Sequence, residues 1–298
     1  MKTKSVKLHK VSSVSSKQTS SRHILNKLTS DEVAPEEPLS VVLSSYSDKL
    51  SIQHDTVMTT MRTPGNDKEL IKGWLNTQNF IHHEDIEEIV QKGKSNLSAI
   101  VAKPSYRLDP SKLTRLAAIS SSCGICNDTE IENILQHSKV SAINGVSIYL
   151  NDIPKMINNL FQEGTLFSRT GGSHSCAILP IEQSINKNEA CSLQIKPTLI
   201  RIREDVGRHN ALDKLIGSFP IDDLNNKALL LSGRVSADLM QKVICAGIPV
   251  VLAIGAPSSL AIELAESAGV ILIGFLKQDS FNVYSGSKQI EILQTQPV

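Results

Sequence analysis

The chain has 298 residues and 40% hydrophobic residues, enough for one or two domains with a sizeable core. A formal net charge of +1 argues against a dominant polyanion-binding role. No stretch reaches the roughly 18 consecutive apolar residues of a membrane span. Five cysteines, an odd number, exclude a disulfide scaffold and suit a reducing compartment. The near-neutral total hides an asymmetry. Residues 1–30 hold seven Lys/Arg and no Asp or Glu, leaving 24 basic against 30 acidic residues beyond them. That Ser-rich basic segment lacks a sustained apolar period and a secretory h-region, so residues 1–36 read as a disordered basic tail. Its composition also resembles a transit peptide, which is the weaker reading.

After the linker Asp31 to Pro38, Leu39 to Ser44 and Tyr46 to Met58 read as short strands. The turn Thr63-Pro64-Gly65-Asn66-Asp67 feeds a helix from Lys68 to Asn76. Ile86 to Lys92 has helical spacing, and Leu97 to Leu108 is strand-like. Residues 37–120 are therefore expected to form an α+β amino-terminal lobe. Residues 121–128 break every period and form a loop. Helices follow at Thr129 to His137 and Ile153 to Gln162. The last third alternates regularly: strand Lys227 to Leu231, helix to Ala246, strand Ile248 to Ile254, helix Pro257 to Ala268, then strands Val270 to Phe275 and Phe281 to Tyr284. Such βαβαβ units predict an α/β fold for residues 129–298, with a mostly parallel sheet covered on both faces. Ligands of such sheets bind beyond the carboxyl ends of the strands. Those ends are Ser232-Gly233-Arg234, Gly255-Ala256-Pro257 and Phe275-Leu276-Lys277.

Cys123-Gly-Ile-Cys126 is the sharpest motif. A loop entering a helix amino terminus stabilises a thiolate through oriented N–H groups. Spacing alone leaves a redox dithiol, a metal half-site and a sulfur carrier open. His82-His83-Glu84 precedes the pair in the order of zinc deaminases, but Ser122 stands where those enzymes have proline. Thr170-Gly171-Gly172-Ser173-His174 is a glycine turn able to approach an anion, or simply a tight turn. Glu204 to Lys214 (EDVGRHNALDK) packs Arg208 and His209 into a predicted first helical turn, which suits an anionic ligand; a salt-bridged surface helix is the bland alternative.

Taken together, these residues resemble the formate dehydrogenase accessory sulfurtransferases, the FdhD family. The resemblance rests on EDVGRHNALDK, Cys123-Gly-Ile-Cys126, Met61-Arg-Thr-Pro-Gly65 with Trp74-Leu75, the glycine–histidine turn, Ser232 to Ser236, Ala256 to Ala261, and Gly274 to Lys277 through Asn282 to Tyr284. It implies a cytidine deaminase-like carboxyl-terminal domain without the deaminase zinc site. It also implies a cytoplasmic sulfur carrier. Cys123 would accept persulfide sulfur from a cysteine desulfurase, with Cys126 assisting. The acceptor would be the molybdenum of the bis(molybdopterin guanine dinucleotide) cofactor, bound by Phe275, Leu276, Lys277, Gln278, Asp279 and Ser280 and destined for the catalytic subunit of formate dehydrogenase. Gly171-Gly172 and Arg208 would help hold this anionic ligand. No resident metal, nucleic acid or membrane is expected, and a homodimer is the expected assembly. A delivery chaperone without chemistry of its own is the alternative. Asn127, Ser175-Cys176 and Gln78-Asn79 depart from the family pattern, and Cys176 becomes a candidate third thiol near the ligand.

Overall fold

A computed structural model describes residues 3–15, 22–46, 52–78, 81, 83–91, 97–107, 132, 134–141, 143, 145–185, 191–220 and 223–294. The amino-terminal lobe is built from β3 (Glu37–Tyr46), β4 (Ile52–Arg62), α1 (Asp67–Gln78), β5 (Ile86–Gln91) and β6 (Leu97–Ala102). Its four-stranded sheet has the order β4-β3-β6-β5. Leu70, Ile71, Trp74 and Leu75 recur at helical spacing along α1, and they share one buried cluster with Leu39, Val41, Leu43 and Ile100 of the sheet.

Two expectations are corrected here. Ile86 to Lys92, spaced like a helix, contributes strand β5, antiparallel to β6. A register shift between Ile86 and Glu88 lets Ile86 and Ile89, three residues apart, both pack on the lobe's core. Residues 1–36, expected to be a disordered tail, contain the antiparallel ribbon β1 (Lys4–Ser15) and β2 (Arg22–Val33). The ladder satisfies backbone groups without needing a large core. Ion pairs fasten its base: Glu32 bonds both Nε and Nη2 of Arg169 at 2.8 Å, and Lys4 lies 3.8 Å from Glu37.

The rest of the chain supplies β7 (Val146–Tyr149), α2 (Ile153–Glu163), α3 (Thr165–Thr170), β8 (His174–Ile185), β9 (Cys191–Ile195), β10 (Arg201–Asp205), α4 (Arg208–Ile216), β11 (Lys227–Leu231), α5 (Ala237–Cys245), β12 (Val250–Ala253), α6 (Ser259–Ala268), β13 (Ile271–Gly274), β14 (Asn282–Ser285) and β15 (Ile290–Leu293). Of the helix expected over Thr129 to His137, residues 132 and 134–136 are described and helical. One nine-stranded sheet runs β14-β13-β12-β11-β8-β9-β7-β15, with β10 also paired to β8. Strands β11, β12 and β13 are parallel, but β8 is antiparallel to β11, β9 and β10. The fold is α/β as expected, and the sheet is mixed rather than mostly parallel. Alternation along β8 divides the core. Cys176 and Ile178 face α4, α5 and α6, while Ala177 and Leu179 face α2.

The lobes meet where α1 crosses α4. A methyl group on Gly73 would lie 1.9 Å from the Asp213 carbonyl oxygen, and one on Gly217 would lie 1.9 Å from that of Glu69. Glycine at both positions lets the two helix backbones approach to contact.

Candidate functional site

Three strand ends lie side by side. The Gly255 N–H donates to the Gly233 carbonyl and the Phe275 N–H to the Gly255 carbonyl, each at 3.2 Å. A Cβ on Gly255 would stand 2.6 Å from backbone atoms of Gly233, so a side chain there would push the ends apart. Phe275 leaves β13 with φ 51°, and its side chain is 43% exposed. The next residue is pinned: Leu276 is buried and its N–H donates to the Ala253 carbonyl at 3.0 Å. A tight turn follows, closed by the Lys277 N–H on the Ser280 carbonyl at 2.8 Å. Lys277, Gln278, Asp279 and Ser280 are all exposed, and the Ser280 hydroxyl donates to Asp279 Oδ1. Phe275 thus stands beside Gly255, and Gly255 beside Gly233.

The run Glu204 to Lys214 divides into two groups. Five polar residues are structural. Glu204 accepts from the N–H groups of Leu166 and Phe167, at 2.9 and 2.8 Å, at the start of α3. Asp205 pairs with Lys214 at 2.6 Å and accepts from the Thr63 and Gly207 N–H groups. Asn210 donates to the Met61 carbonyl at 2.7 Å. Asp213 receives Lys242 on both oxygens at 2.9 Å. These bonds seat the amino-terminal turn around Met61 to Thr63 on α4. The helix is therefore not a salt-bridged surface helix, since Asp213 and Lys214 are buried.

Arg208 and His209 form the second group. At the amino terminus of α4 they join His174 and Arg234. His174 opens β8 opposite Asp205. A methyl on Gly233 would stand 3.1 Å from His174 Nδ1. Burial, then Arg208 and Arg234, hold the His174 pKa below its usual value against Asp205. Burial, then Arg208 and Lys242, push His209 down to about 4, with Asp238 opposing. We expect an NMR titration of the His209 C2–H to show a neutral ring at pH 6, charging only near about pH 4. A midpoint near the ordinary ~6.5 would mean that the ring sits in water. Because the unfolded chain takes up this proton first, the group subtracts stability as pH falls from about 6.5 toward that lower value.

The glycine turn borders the ribbon. Gly171 ends α3 with φ 62°, the Gly172 N–H donates to Thr170 Oγ1, and a methyl on Gly172 would lie 3.8 Å from Ala34 Cβ. Cys176 is no third reactive thiol. It is 2% exposed, and burial, with Asp205 and Asp213, raises its pKa far above the usual range. Cys123 and Cys126 lie outside the described residues. Among the described residues no three His, Cys, Asp or Glu side chains are grouped to hold a metal, and no helix is long and apolar enough to cross a membrane.

The FdhD/NarQ family profile matches residues 44–291, and the chain belongs to that family. It is 32% identical over 276 residues to a sulfur carrier protein FdhD of Mycobacterium tuberculosis, covering 87% of this chain and 92% of that protein. It is 35% identical over 277 residues to one of Thermoplasma volcanium, covering 88% and 90%. The fold matches a crystal structure described as a formate dehydrogenase accessory protein of Desulfotalea psychrophila, with a TM-score of 0.62, 21% identity and coverage of 96% and 99%.

Proposed function

We propose that the chain is a sulfur carrier for the maturation of a formate dehydrogenase. The Cys123 thiolate attacks the terminal sulfur of a cysteine desulfurase persulfide. The donor S–S bond breaks, the donor cysteine leaves as thiolate, and the sulfur stays on Cys123. Cys126 tunes or resolves that persulfide. When Cys126 attacks the Cys123 sulfur, the persulfide S–S bond breaks, the outer sulfur leaves as sulfide and the two cysteines, which supply the two electrons, form a disulfide; the sulfide passes to the molybdenum of the bis(molybdopterin guanine dinucleotide) cofactor, which is the substrate, in place of an oxygen ligand that leaves as water. Phe275 to Ser280 take its guanine end, with Lys277 supplying charge to the pyrophosphate. The carrier works in the cytoplasm, as a homodimer, and hands its cargo to the catalytic subunit of formate dehydrogenase. The sheet is taken as cytidine deaminase-like, a reading supported by β8 lying antiparallel to β11, the first of three parallel strands.

The observation that carries the proposal is the row of three strand ends leading to an exposed turn bearing Lys277, Asp279 and Ser280, in a chain whose relatives are named sulfur carriers. The test is intact mass after incubation with a cysteine desulfurase and cysteine. Wild type should gain about 32 Da per loaded site, one sulfur atom, removable by a thiol reductant. Cys123→Ala should gain nothing. An adduct that persists in Cys123→Ala and vanishes in Cys126→Ala moves the carrier to Cys126. Charge-assisted phosphate contacts contribute roughly 1.5–3 kcal/mol each. Lys277→Ala should therefore weaken guanosine diphosphate binding about ten- to a hundredfold and leave sulfur loading intact. Unchanged affinity by calorimetry removes Lys277 from the site. A protein that binds the nucleotide but never loads sulfur is a delivery chaperone instead.

A further inference from the structure

The row of strand ends closes at Gly233, on the side away from Phe275. Two strand spacings, about 10 Å, separate the two ends. His174, Arg208, His209 and Arg234 gather there. Among the described residues neither guanidinium has a carboxylate within ion-pair distance, unlike Arg62, Arg169 and Arg203, which all do. Of the nearby carboxylates, Asp205 is held by Lys214 and Asp238 lies 3.9 Å from His209 Nε2. Lys242, the remaining cation near His209, is bonded to Asp213. Three polar atoms at this end are buried without a hydrogen-bond partner: Arg208 Nε, His209 Nε2 and the hydroxyl of Ser236. Ser236 is the N-cap residue of α5, yet its side chain makes no capping bond. Unpaired buried donors cost free energy unless something meets them. The amino ends of α4 and α5 meet here as well, linked through His209 and Asp238, and both favour negative charge.

We propose that His174, Arg208, His209, Arg234 and Ser236 form an oxyanion subsite that takes a phosphate group of the nucleotide-bearing ligand whose base end sits at Phe275 to Ser280. The two guanidiniums supply charge. The two imidazoles and the hydroxyl supply directed hydrogen bonds, so the anion meets donors that the fold leaves unmatched. A nucleoside diphosphate spans the distance between the two ends. The subsite rests on the sulfur-carrier reading for the identity of its ligand.

The test uses the full chain and three probes: inorganic pyrophosphate, guanosine diphosphate and molybdate. Calorimetry is combined with NMR of the histidine C2–H resonances. Pyrophosphate should bind and shift the His174 and His209 resonances. Arg234→Gln, an exposed position, should weaken pyrophosphate and guanosine diphosphate at least tenfold. Guanosine diphosphate should displace pyrophosphate competitively. Binding that leaves both histidines unmoved, or that Arg234→Gln does not weaken, overturns the subsite. Molybdate that shifts the histidines while guanosine diphosphate fails to compete would make it a free-oxyanion site and overturn its assignment to the nucleotide. Sulfur loading measured on the same samples tells failure of the subsite from failure of the carrier reading, because loading needs Cys123 and none of these five residues.

Discussion

A Lys214→Met protein is expected to lose about 3–5 kcal/mol of folding stability, read as a lower urea midpoint at constant slope. The Lys214 side chain has no exposed surface, and its Nζ lies 2.6 Å from Asp205 Oδ2. It also donates to the Thr63 carbonyl at 2.7 Å. Methionine fills much of the same volume but leaves the Asp205 carboxylate buried with only the N–H groups of Thr63 and Gly207. An unpaired buried charge is far costlier than a neutral replacement of the whole pair. Asp205→Asn combined with Lys214→Met should therefore recover a good part of the loss, and the double-mutant cycle measures the coupling. The same pair holds Thr63, so the single variant should also free the Met61 to Gly65 turn to proteolysis. A loss below about 1 kcal/mol would mean that the pair does not support the junction between the lobes.

That pair shows where reading the residues stops. EDVGRHNALDK was legible as a charged cluster at a helix start, yet nothing in it says that Asp205 and Lys214 turn inward. The decision lies with Thr63, about 140 positions upstream, whose N–H and carbonyl meet the pair. The last third was legible because each strand is a short apolar run closed by glycine, and each helix is bounded by its own turn residues. Ile86 to Lys92 carries helical spacing because a bulge lets strand residues three apart share a face, which periodicity alone assigns to a helix. The ribbon of β1 and β2 is held by a ladder of backbone bonds, which leaves no compositional mark. The three strand ends lie side by side, as the alternation of strands and helices implies. The gathering of His174 with Arg208, His209 and Arg234 was not legible, since β8 brings His174 in from before the helix and Arg234 arrives from the end of β11. Lone Arg234 after a strand was the available signal.

Gly73→Ala should be, with Gly217→Ala, among the most disruptive single methyls at the described glycines. Its Cβ would stand 1.9 Å from the Asp213 carbonyl oxygen, 2.7 Å from the carbonyl carbon and 2.9 Å from Cα. All three are backbone atoms of a helix, so no rotamer change relieves the overlap. The helices α1 and α4 must separate instead. Overpacking of a tight contact costs about 1–3 kcal/mol, and the separation strains more than packing. On one side of the crossing, Thr77 and Lys242 both bond Asp213. On the other, Asn210 holds Met61, and the Asp205–Lys214 pair holds Thr63. A rise in the axial distance pulls on both sets at once. The expected result is a fall in melting temperature of a few degrees, about 2–4 °C per kcal/mol for a chain of this size, with early proteolysis between the lobes. Gly217→Ala should act the same way, since its methyl would meet the Glu69 carbonyl at 1.9 Å and the Gly73 nitrogen at 2.5 Å. Because both glycines serve one crossing, the two losses should not add: once one methyl has parted the helices, the second enters space already opened. Strict additivity would show that each residue acts on separate contacts and that the helices do not move as rigid bodies.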